Sequence, residues 1–388
     1  MTTAPYGAAP AREARPPAAD PAEATRLAAL LSVADLERAA AERMEAGLRD
    51  FVDGGAGSER TVAANRLAWQ RIALVPRMLN DVSQCTTRTT LLGSVLGLPL
   101  GIAPMAYQRL LHPDGELAAA AAARDAGAVY VGGLLNSCSI EEIAAVGACT
   151  WFQLYWLRDR GLTVDLLRRA EDAGCRAVVL TVDVPRMGRR LRDLRNGFTV
   201  PPHIRAVNLP TGAQLSPAHD ARPDASSLMV HTTATFDPRL QWSDLAWLRE
   251  HTELPLVVKG ILDPDDAARA AALGVDAVVV SNHGGRQLDG AVVGAEALPA
   301  VREALPDQVQ VLVDGGIRSG ADVLRALALG ASAALVGRPA LWGLAVGGAA
   351  GVRRLLELLA LELEDALALA GCARPEAAAS LRTAPLTA

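Results

Sequence analysis

The sequence comprises 388 residues, of which 51% are hydrophobic and 4% aromatic, with a formal net charge of −5. This length allows one large domain or two average ones, with a core packed mainly by aliphatic side chains and alanine. The mildly acidic balance, without a stripe of basic and aromatic residues, argues against nucleic acid. We find no uncharged apolar run long enough to span a bilayer, so we expect no membrane segment.

The cysteines indicate a reducing compartment. They are odd in number, scattered, and contain no C-x-x-C pair, which argues against a disulfide framework or a bound metal. The N-terminus also lacks the charged and apolar regions of a signal peptide, so we expect a cytoplasmic protein. The cysteines are Cys85, Cys138, Cys149, Cys175 and Cys372.

The chain begins with a segment rich in Ala, Pro and charge, residues 1–31, for which we predict a disordered tail. Ser32 can cap a helix that starts at Val33, with Asp35 in the capping-box position. We expect residues 32–388 to form a single domain with a helical extension at its N-terminal side.

From residue 98 onward, short apolar runs alternate with amphipathic segments that end near a glycine. Such alternation predicts parallel βαβ units, and eight of them match a (β/α)₈ TIM barrel of the α/β class. An open doubly wound sheet is the alternative, but no G-x-G-x-x-G follows the first run. The runs are 98–106, 129–134, 150–156, 177–183, 255–261, 277–282, 309–316 and 333–337. The helices include 115–126, 140–146, 164–173, 263–273, 321–329 and 351–370.

One connection departs from this pattern. Residues 184–238, after the fourth strand, are too long and too rich in Pro, Asp, His and Ser for an ordinary loop. Insertions of this length are commonly lids or disordered. We predict a lid that closes over a site.

The sixth run carries the clearest candidate site. Three valines of a buried strand lead directly into Ser281, Asn282, His283, two glycines and Arg286. In a parallel barrel, catalytic groups lie at the carboxyl ends of strands. Taken alone, the window fits a glycine-rich turn equally well.

The other strand ends strengthen the functional interpretation, because in a barrel they converge on one rim. The seventh and eighth are typical of phosphate sites, with glycine-freed N–H groups and arginines. Lys259, at the end of the fifth strand, is the only lysine in a chain with 37 arginines. A position that keeps a compact ammonium suggests one atom held in a tight space. The polar strand-end residues are Gln153, Tyr155, Thr181, Asp183, Arg190, Lys259, Ser281, His283, Arg286, Asp314, Arg318 and Arg338.

Several strings resemble the FMN-dependent 2-hydroxy acid oxidases and dehydrogenases, a family that includes glycolate and lactate oxidases. The similarity runs from about Val33 to Gly371 and, within the family, is closest to the 4-hydroxymandelate oxidases. The strings begin at Phe152 (FQLY), Leu180 (LTVDVPR), Val258 (VKG), Ser281 (SNHGGRQLD), Asp314 (DGGIR) and Gly337 (GRP).

The resemblance implies roles for these residues. His283 would be the active-site base, with Asp183 stabilising its protonated form. Arg190 and Arg286 would bind the substrate carboxylate, and Tyr155 its hydroxyl. Phe51 and Leu135 stand where glycolate oxidase has a tyrosine and a tryptophan. These changes predict a larger, more apolar pocket suited to an aryl substrate.

The resemblance also implies bound FMN. Lys259 would lie beside the edge of the flavin ring that gains negative charge on reduction. The other implied FMN contacts are Pro104, Met105, Ala106, Gln153, Thr181, Ser281, Asp314, Gly315, Gly316, Arg318, Gly337 and Arg338.

The expected reaction is oxidation of an (S)-2-hydroxy acid, mandelate or 4-hydroxymandelate, with O₂ reduced to H₂O₂ by a homotetramer. Three alternatives stay open. They are a dehydrogenase of the same fold that uses a quinone or protein acceptor, an oxidase of an aliphatic acid such as lactate, and a phosphate-binding barrel isomerase or lyase.

Overall fold

The computed structural model describes residues 21–210 and 232–386. Its centre is a closed barrel of eight parallel strands in the order β10-β11-β4-β5-β6-β7-β8-β9. The predicted (β/α)₈ fold is confirmed. The strands are β1 (Ile72–Val75), β2 (Thr89–Leu91), β3 (Ser94–Leu96), β4 (Leu100–Ile102), β5 (Val129–Gly133), β6 (Cys149–Tyr155), β7 (Val178–Thr181), β8 (Leu256–Ile261), β9 (Ala277–Val280), β10 (Gln310–Asp314), β11 (Ala333–Val336) and β12 (Arg382–Pro385).

Helices cover the outside of the barrel, and the barrel strands are largely buried on both faces, as parallel strands require. The helices are α1 (Pro21–Ala28), α2 (Val33–Arg43), α3 (Ala46–Asp53), α4 (Arg60–Gln70), α5 (Gly115–Ala126), α6 (Ile140–Ala145), α7 (Arg160–Asp172), α8 (Leu191–Asn196), α9 (Trp242–Arg249), α10 (Pro264–Ala272), α11 (Gly294–Glu303), α12 (Gly320–Ala328) and α13 (Arg338–Ala370).

Some observed element boundaries differ from the predicted ones, and the backbone geometry explains the clearest case. The seventh barrel strand ends at Asp314 because Gly315 and Gly316 have φ values of 92° and 86°, outside the extended region. The last helix begins at Arg338, earlier than predicted, and runs through a break at Gly347 and Gly348. Short β1 pairs with β12, and β2 with β3, outside the barrel.

The N-terminal prediction is partly wrong. Residues 1–20 lie outside the described part of the chain, but Pro21–Ala28 form helix α1 instead of continuing a disordered tail. The Arg26 side chain donates to the Val346 carbonyl of α13 at 2.9 Å, which ties α1 to the barrel. Ser32 caps α2 as predicted, while the Asp35 carboxylate accepts from the N–H of Leu31, one residue before the cap.

The insertion after β7 is only partly described, since residues 211–231 lie outside the described ranges. Its first part forms α8, and its last part returns to the barrel through a bridge between Phe236 and Leu157. Its role as a lid stays a prediction.

Within the described ranges, no helix is both long and apolar enough to cross a membrane. The same residues contain no cluster of three or more His, Cys, Asp or Glu side chains that could hold a metal ion. All five cysteines are free thiols.

Candidate active site

A cavity opens at the carboxyl ends of the barrel strands, with about 1170 Å³ of empty space including its mouth. Most predicted site residues line it, so the strand ends do converge. Those residues are Phe51, Pro104, Met105, Ala106, Leu135, Tyr155, Arg190, Lys259, His283, Arg286, Asp314, Gly315, Gly316, Arg318, Gly337 and Arg338. Four predicted residues lie outside this lining: Asp183, Gln153, Thr181 and Ser281.

His283 is held by contacts on both its side chain and its backbone. Its Nδ1 lies 2.9 Å from Asp183 Oδ1, and its backbone N–H donates to Ser281 Oγ at 3.0 Å. The residue has φ 59°, an uncommon conformation for a side chain of this size. Such a conformation persists only where the surroundings fix it, and it brings the imidazole to the cavity.

Asp183 is poised as a carboxylate. Burial raises its pKa, but the charge and hydrogen bond of His283 and the charge of Lys259 outweigh burial, so the pKa lies below its ordinary value. Gln287 Nε2 donates to the Asp183 backbone carbonyl at 2.7 Å and fixes the turn that carries it. The Asp183 carboxylate is therefore ionised at neutral pH and lies beside the His283 imidazole.

Lys259 presents a buried ammonium. Its Nζ donates to Ser281 Oγ at 2.9 Å and pairs with Asp314 Oδ2 at 3.0 Å. Burial favours the neutral amine, yet the negative charges of Asp314 and Asp183 raise the pKa of Lys259 above its ordinary value. The ammonium is thus a fixed positive charge in the cavity wall. Ser281 is a link between Lys259 and the His283 backbone.

Arg190 and Arg286 form an electropositive end of the cavity. Neither makes an ion pair within 4.0 Å among the described residues, and Arg190 Nε is buried without a hydrogen-bond partner. Arg286 Nη1 donates only to backbone carbonyls, Gly54 at 2.6 Å and Val52 at 3.4 Å. Burial lowers the pKa of both arginines, and the positive charge of Arg286 lowers the pKa of Arg190 further. Two such guanidinium groups suit a bound carboxylate.

Aromatic and aliphatic side chains also line the cavity. Tyr155 stacks on Phe236 at 4.5 Å between ring centroids, and Phe51 stacks on Phe198 at 4.7 Å. Burial and the charge of Asp183 raise the pKa of Tyr155 to about 12, so its hydroxyl stays protonated at neutral pH. Leu135 completes this wall.

Another part of the lining combines glycine and arginine. A Cβ on Gly316 would lie 2.0 Å from the Asn65 carbonyl, so only glycine fits there. Burial lowers the pKa of Arg318 to about 10 and that of Arg338 to about 9, which leaves both charged at neutral pH. Arg338 donates to the Gly284 carbonyl at 2.9 Å and so connects these residues to the turn that carries His283.

Comparison with known proteins identifies the family. A family model described as FMN-dependent dehydrogenase matches residues 40–383. The chain belongs to the FMN-dependent dehydrogenase family. It is similar to a 4-hydroxymandelate oxidase of Amycolatopsis orientalis, with 54% identity over 91% of this chain and 98% of the relative. An L-lactate oxidase of Nostoc sp. is 48% identical over 90% of this chain and 97% of the relative. A crystal structure of a mandelate oxidase with (S)-4-hydroxymandelic acid superposes with a TM-score of 0.89 at 53% identity, covering 92% of this chain and all of that one.

The residues present fit FMN, the cofactor of this family. Several buried polar atoms in and beside the cavity lack partners within the described structure and match a ligand rich in hydrogen-bonding groups. Thr181 pairs in register with both Tyr155 and Lys259, which places it next to the lining. The lining also includes glycines and arginines, the residue types that commonly hold a phosphate group: Gly315, Gly316, Arg318 and Arg338. The unpartnered atoms are Gln153 Nε2, Thr181 Oγ1, Asp314 Oδ1 and Arg318 Nε.

Two residues of helix α4 that were not predicted from the sequence, Asn65 and Trp69, also hold the site. Asn65 and Asn282 exchange two side-chain hydrogen bonds of 2.9 Å, and Trp69 donates to the Gly315 carbonyl at 2.8 Å. Asp289 caps α4 by accepting from the N–H groups of Ser58 and Thr61. Those bonds lower the pKa of Asp289 to about 2. No local pattern signals these partners, which lie more than 200 residues away.

Met187 and Phe236 were missed for another reason. Both line the cavity from the insertion after β7, a segment that its polar composition marked only as a loop. An isolated apolar residue in a polar loop is the one signal that could have found them.

Proposed function

We propose that this protein oxidises an aryl (S)-2-hydroxy acid, mandelate or 4-hydroxymandelate, to the 2-oxo acid and reduces O₂ to H₂O₂. One observation carries the proposal. A single cavity presents a His283–Asp183 pair, two buried arginines and the Lys259 ammonium, together with glycines and arginines of the types that commonly hold a phosphate group. The proposal also rests on the similarity to enzymes named 4-hydroxymandelate oxidase and mandelate oxidase.

In this proposal, each charged or polar residue of the cavity has a separate role in the reaction. Arg190 and Arg286 bind the carboxylate and orient the α-carbon, and the neutral Tyr155 hydroxyl donates to the substrate oxygen. His283 accepts the proton that the substrate releases, and Asp183 stabilises the resulting imidazolium across the 2.9 Å contact. Bound FMN supplies the two-electron acceptor. Overall the hydroxy acid loses two electrons and two protons, and O₂ takes up both to give H₂O₂.

The apolar wall favours an aryl substrate. Phe51 carries no hydroxyl toward Arg286, whose guanidinium lies 5.5 Å from the Phe51 ring centroid. Leu135, Met187 and Phe236 add further apolar surface to the cavity. Burying an aromatic ring against such surface contributes about 2 kcal/mol, which a two- or three-carbon acid cannot gain.

A second candidate is an enzyme for an aliphatic acid or for another electron acceptor. It is favoured by similarity to proteins named L-lactate oxidase and, at 43% identity, L-lactate dehydrogenase of Caulobacter sp.. The catalytic residues would serve the same reaction, so substrate and acceptor must be measured.

The test is a visible spectrum of the purified enzyme followed by anaerobic bleaching with lactate, mandelate and 4-hydroxymandelate. We expect flavin absorbance, faster bleaching with the aryl acids, and rapid reoxidation with peroxide formation when air is admitted by stopped flow. Equal bleaching rates for lactate and mandelate would refute the aryl preference, and slow reoxidation would refute the oxidase. A colourless protein that gains no flavin from added FMN would refute the reaction class.

We also propose a cytoplasmic homotetramer. The five free thiols support a reducing compartment. Light scattering on the flavin-loaded enzyme tests the assembly, and a mass other than four subunits would contradict it.

A further inference from the structure

Gln287 is a polar residue of the cavity lining that follows Arg286 directly in the chain and has no assigned role. Its side-chain amide makes three hydrogen bonds to the backbone of residues 183–188, the segment that follows β7. Nε2 donates to the carbonyls of Asp183 at 2.7 Å and Arg186 at 2.8 Å, and Oε1 accepts from the Gly188 N–H at 3.0 Å. The amide therefore uses both of its N–H groups and its oxygen on one stretch of backbone.

The chemistry of these contacts specifies an amide. Two of the partners are carbonyl oxygens, which accept, and the third is an N–H group, which donates. A carboxylate at this position could not donate to the carbonyls, and an apolar side chain of the same length could make none of these bonds. Replacement of Gln287 by methionine therefore releases the 183–188 segment while it fills a similar volume.

The same segment packs closely on the backbone that follows β9. A Cβ added to Gly188 would lie 2.3 Å from the Arg286 carbonyl oxygen and 2.8 Å from Gln287 Cα, so only glycine permits this approach. Next to it, the Arg189 carbonyl accepts from the Gly57 N–H at 3.0 Å. The segment is thus held by backbone contact at Gly188 and by the side-chain bonds of Gln287.

This segment carries or leads into two groups that the proposed reaction needs. Asp183 is its first residue, with Oδ1 2.9 Å from His283 Nδ1. Arg190 follows it by two residues, and its buried Nε has no hydrogen-bond partner among the described residues. Since no bond at Nε fixes the Arg190 side chain, the course of the backbone before it matters for where the guanidinium lies. A shift of the segment would displace both groups.

We propose that Gln287 is a positioning residue, which holds Asp183 against His283 and keeps Arg190 in the cavity wall by fixing the segment between them to the backbone after β9. This inference rests on the proposed function, because that function gives Asp183 and Arg190 their roles. Residues 286–287 thus supply one substrate-binding arginine and fix the position of the other.

Gln287→Met removes the hydrogen bonds and keeps the length of the side chain. A misplacement of about 1 Å in an active site can lower a rate by about a hundredfold. We therefore expect the limiting rate of flavin reduction by mandelate to fall by about tenfold to a hundredfold. The Kd of phenylacetate, an aryl carboxylate without a hydroxyl to oxidise, should rise by about tenfold. Flavin should remain bound, because no proposed FMN contact is replaced.

The experiment is a double-mutant cycle on the flavin-loaded enzyme. Flavin reduction is followed anaerobically by stopped flow, and phenylacetate binding by the change in flavin absorbance. If Gln287 acts through Asp183, Gln287→Met should change the reduction rate by less than about twofold when Asp183→Asn is already present. If it acts through Arg190, it should change phenylacetate affinity by less than about twofold in an Arg190→Leu background. A merely structural role would give the same factor in every background, and such additivity in either cycle would overturn the inference.

Gln310→Met is the matched control. Gln310, the first residue of β10, also accepts a backbone hydrogen bond through its side chain, from the Leu92 N–H at 2.8 Å, but does not line the cavity. It should leave rate and affinity unchanged, and losses equal to those of Gln287→Met would overturn the inference. Gly188→Ala tests the contact from the other segment, whether or not Gln287→Met folds. It should slow flavin reduction by at least about tenfold, and a wild-type rate would contradict the proposed contact.

The same measurements separate this inference from the proposed function. A wild-type enzyme whose flavin is reduced by neither mandelate nor lactate would overturn the proposed function and this inference together. Normal reduction of the wild-type flavin, combined with additive effects of the variants, would overturn this inference alone.

Discussion

Asp183→Asn tests the central pair, because it keeps the side-chain shape and removes only the charge. The Nδ1–Oδ1 distance of 2.9 Å places the two charge centres about 4 Å apart. At an effective dielectric constant near 20, this separation corresponds to about 4 kcal/mol of attraction between carboxylate and imidazolium. Since about 1.4 kcal/mol corresponds to a factor of ten, we expect kcat/KM to fall by about a hundredfold to a thousandfold.

The assay is anaerobic single-turnover bleaching of the flavin by mandelate in a stopped-flow instrument, which reports the oxidation of substrate before any reaction with O₂. Asp263→Asn is the control, because Asp263 caps α10 through the N–H of Asp265 and asparagine caps equally well. The control should retain wild-type rates. A rate for Asp183→Asn within threefold of wild type would show that the carboxylate does not stabilise the protonated base.

Three further predictions concern residues in and beside the cavity. Gly260→Ala should lower kcat/KM at least tenfold while flavin stays bound, because a Cβ at φ 110° would lie 2.6 Å from Asp183 Cβ; unchanged kinetics would contradict this contact. Leu135→Trp should raise the lactate-to-mandelate ratio of kcat/KM by about tenfold by filling the aryl space, as competition kinetics can measure. The pKa of Asp183 lies below its ordinary value of 3.8, so its ionisation stabilises the fold above that pH and this contribution is lost as pH falls through the folded-state pKa. In denaturant titrations, the free energy of unfolding of Asp183→Asn should therefore fall less than that of wild type below about pH 4. An equal fall in both proteins would contradict this prediction.

The barrel could be predicted because its signal is local and repeated. Runs such as Ala277–Val280 are buried on both faces and must be apolar throughout, whereas each following helix shows a different period. The predicted boundaries failed where one residue changes the backbone, as at Gly315. Helix α1 was missed because its docking depends on α13, more than 300 residues away.

Much of the candidate site was predictable for a topological reason. Parallel strands in a closed barrel have their carboxyl ends at one rim, so polar residues that follow different strands must meet. Lys259 and His283 lie in one cavity for this reason. Ser281 does not line the cavity, and its Oγ accepts from the Lys259 ammonium and from the His283 backbone N–H.

The sequence by itself determined the chemistry available at the rim: one lysine among 37 arginines, a histidine after a valine strand, and glycines where the chain turns. Only the tertiary structure decided which groups pair. It set Asp183 against His283 across 100 residues and Asn65 against Asn282 across 217. Local propensity acts over a few neighbours, whereas these contacts arise from closure of the barrel and docking of α4 onto it.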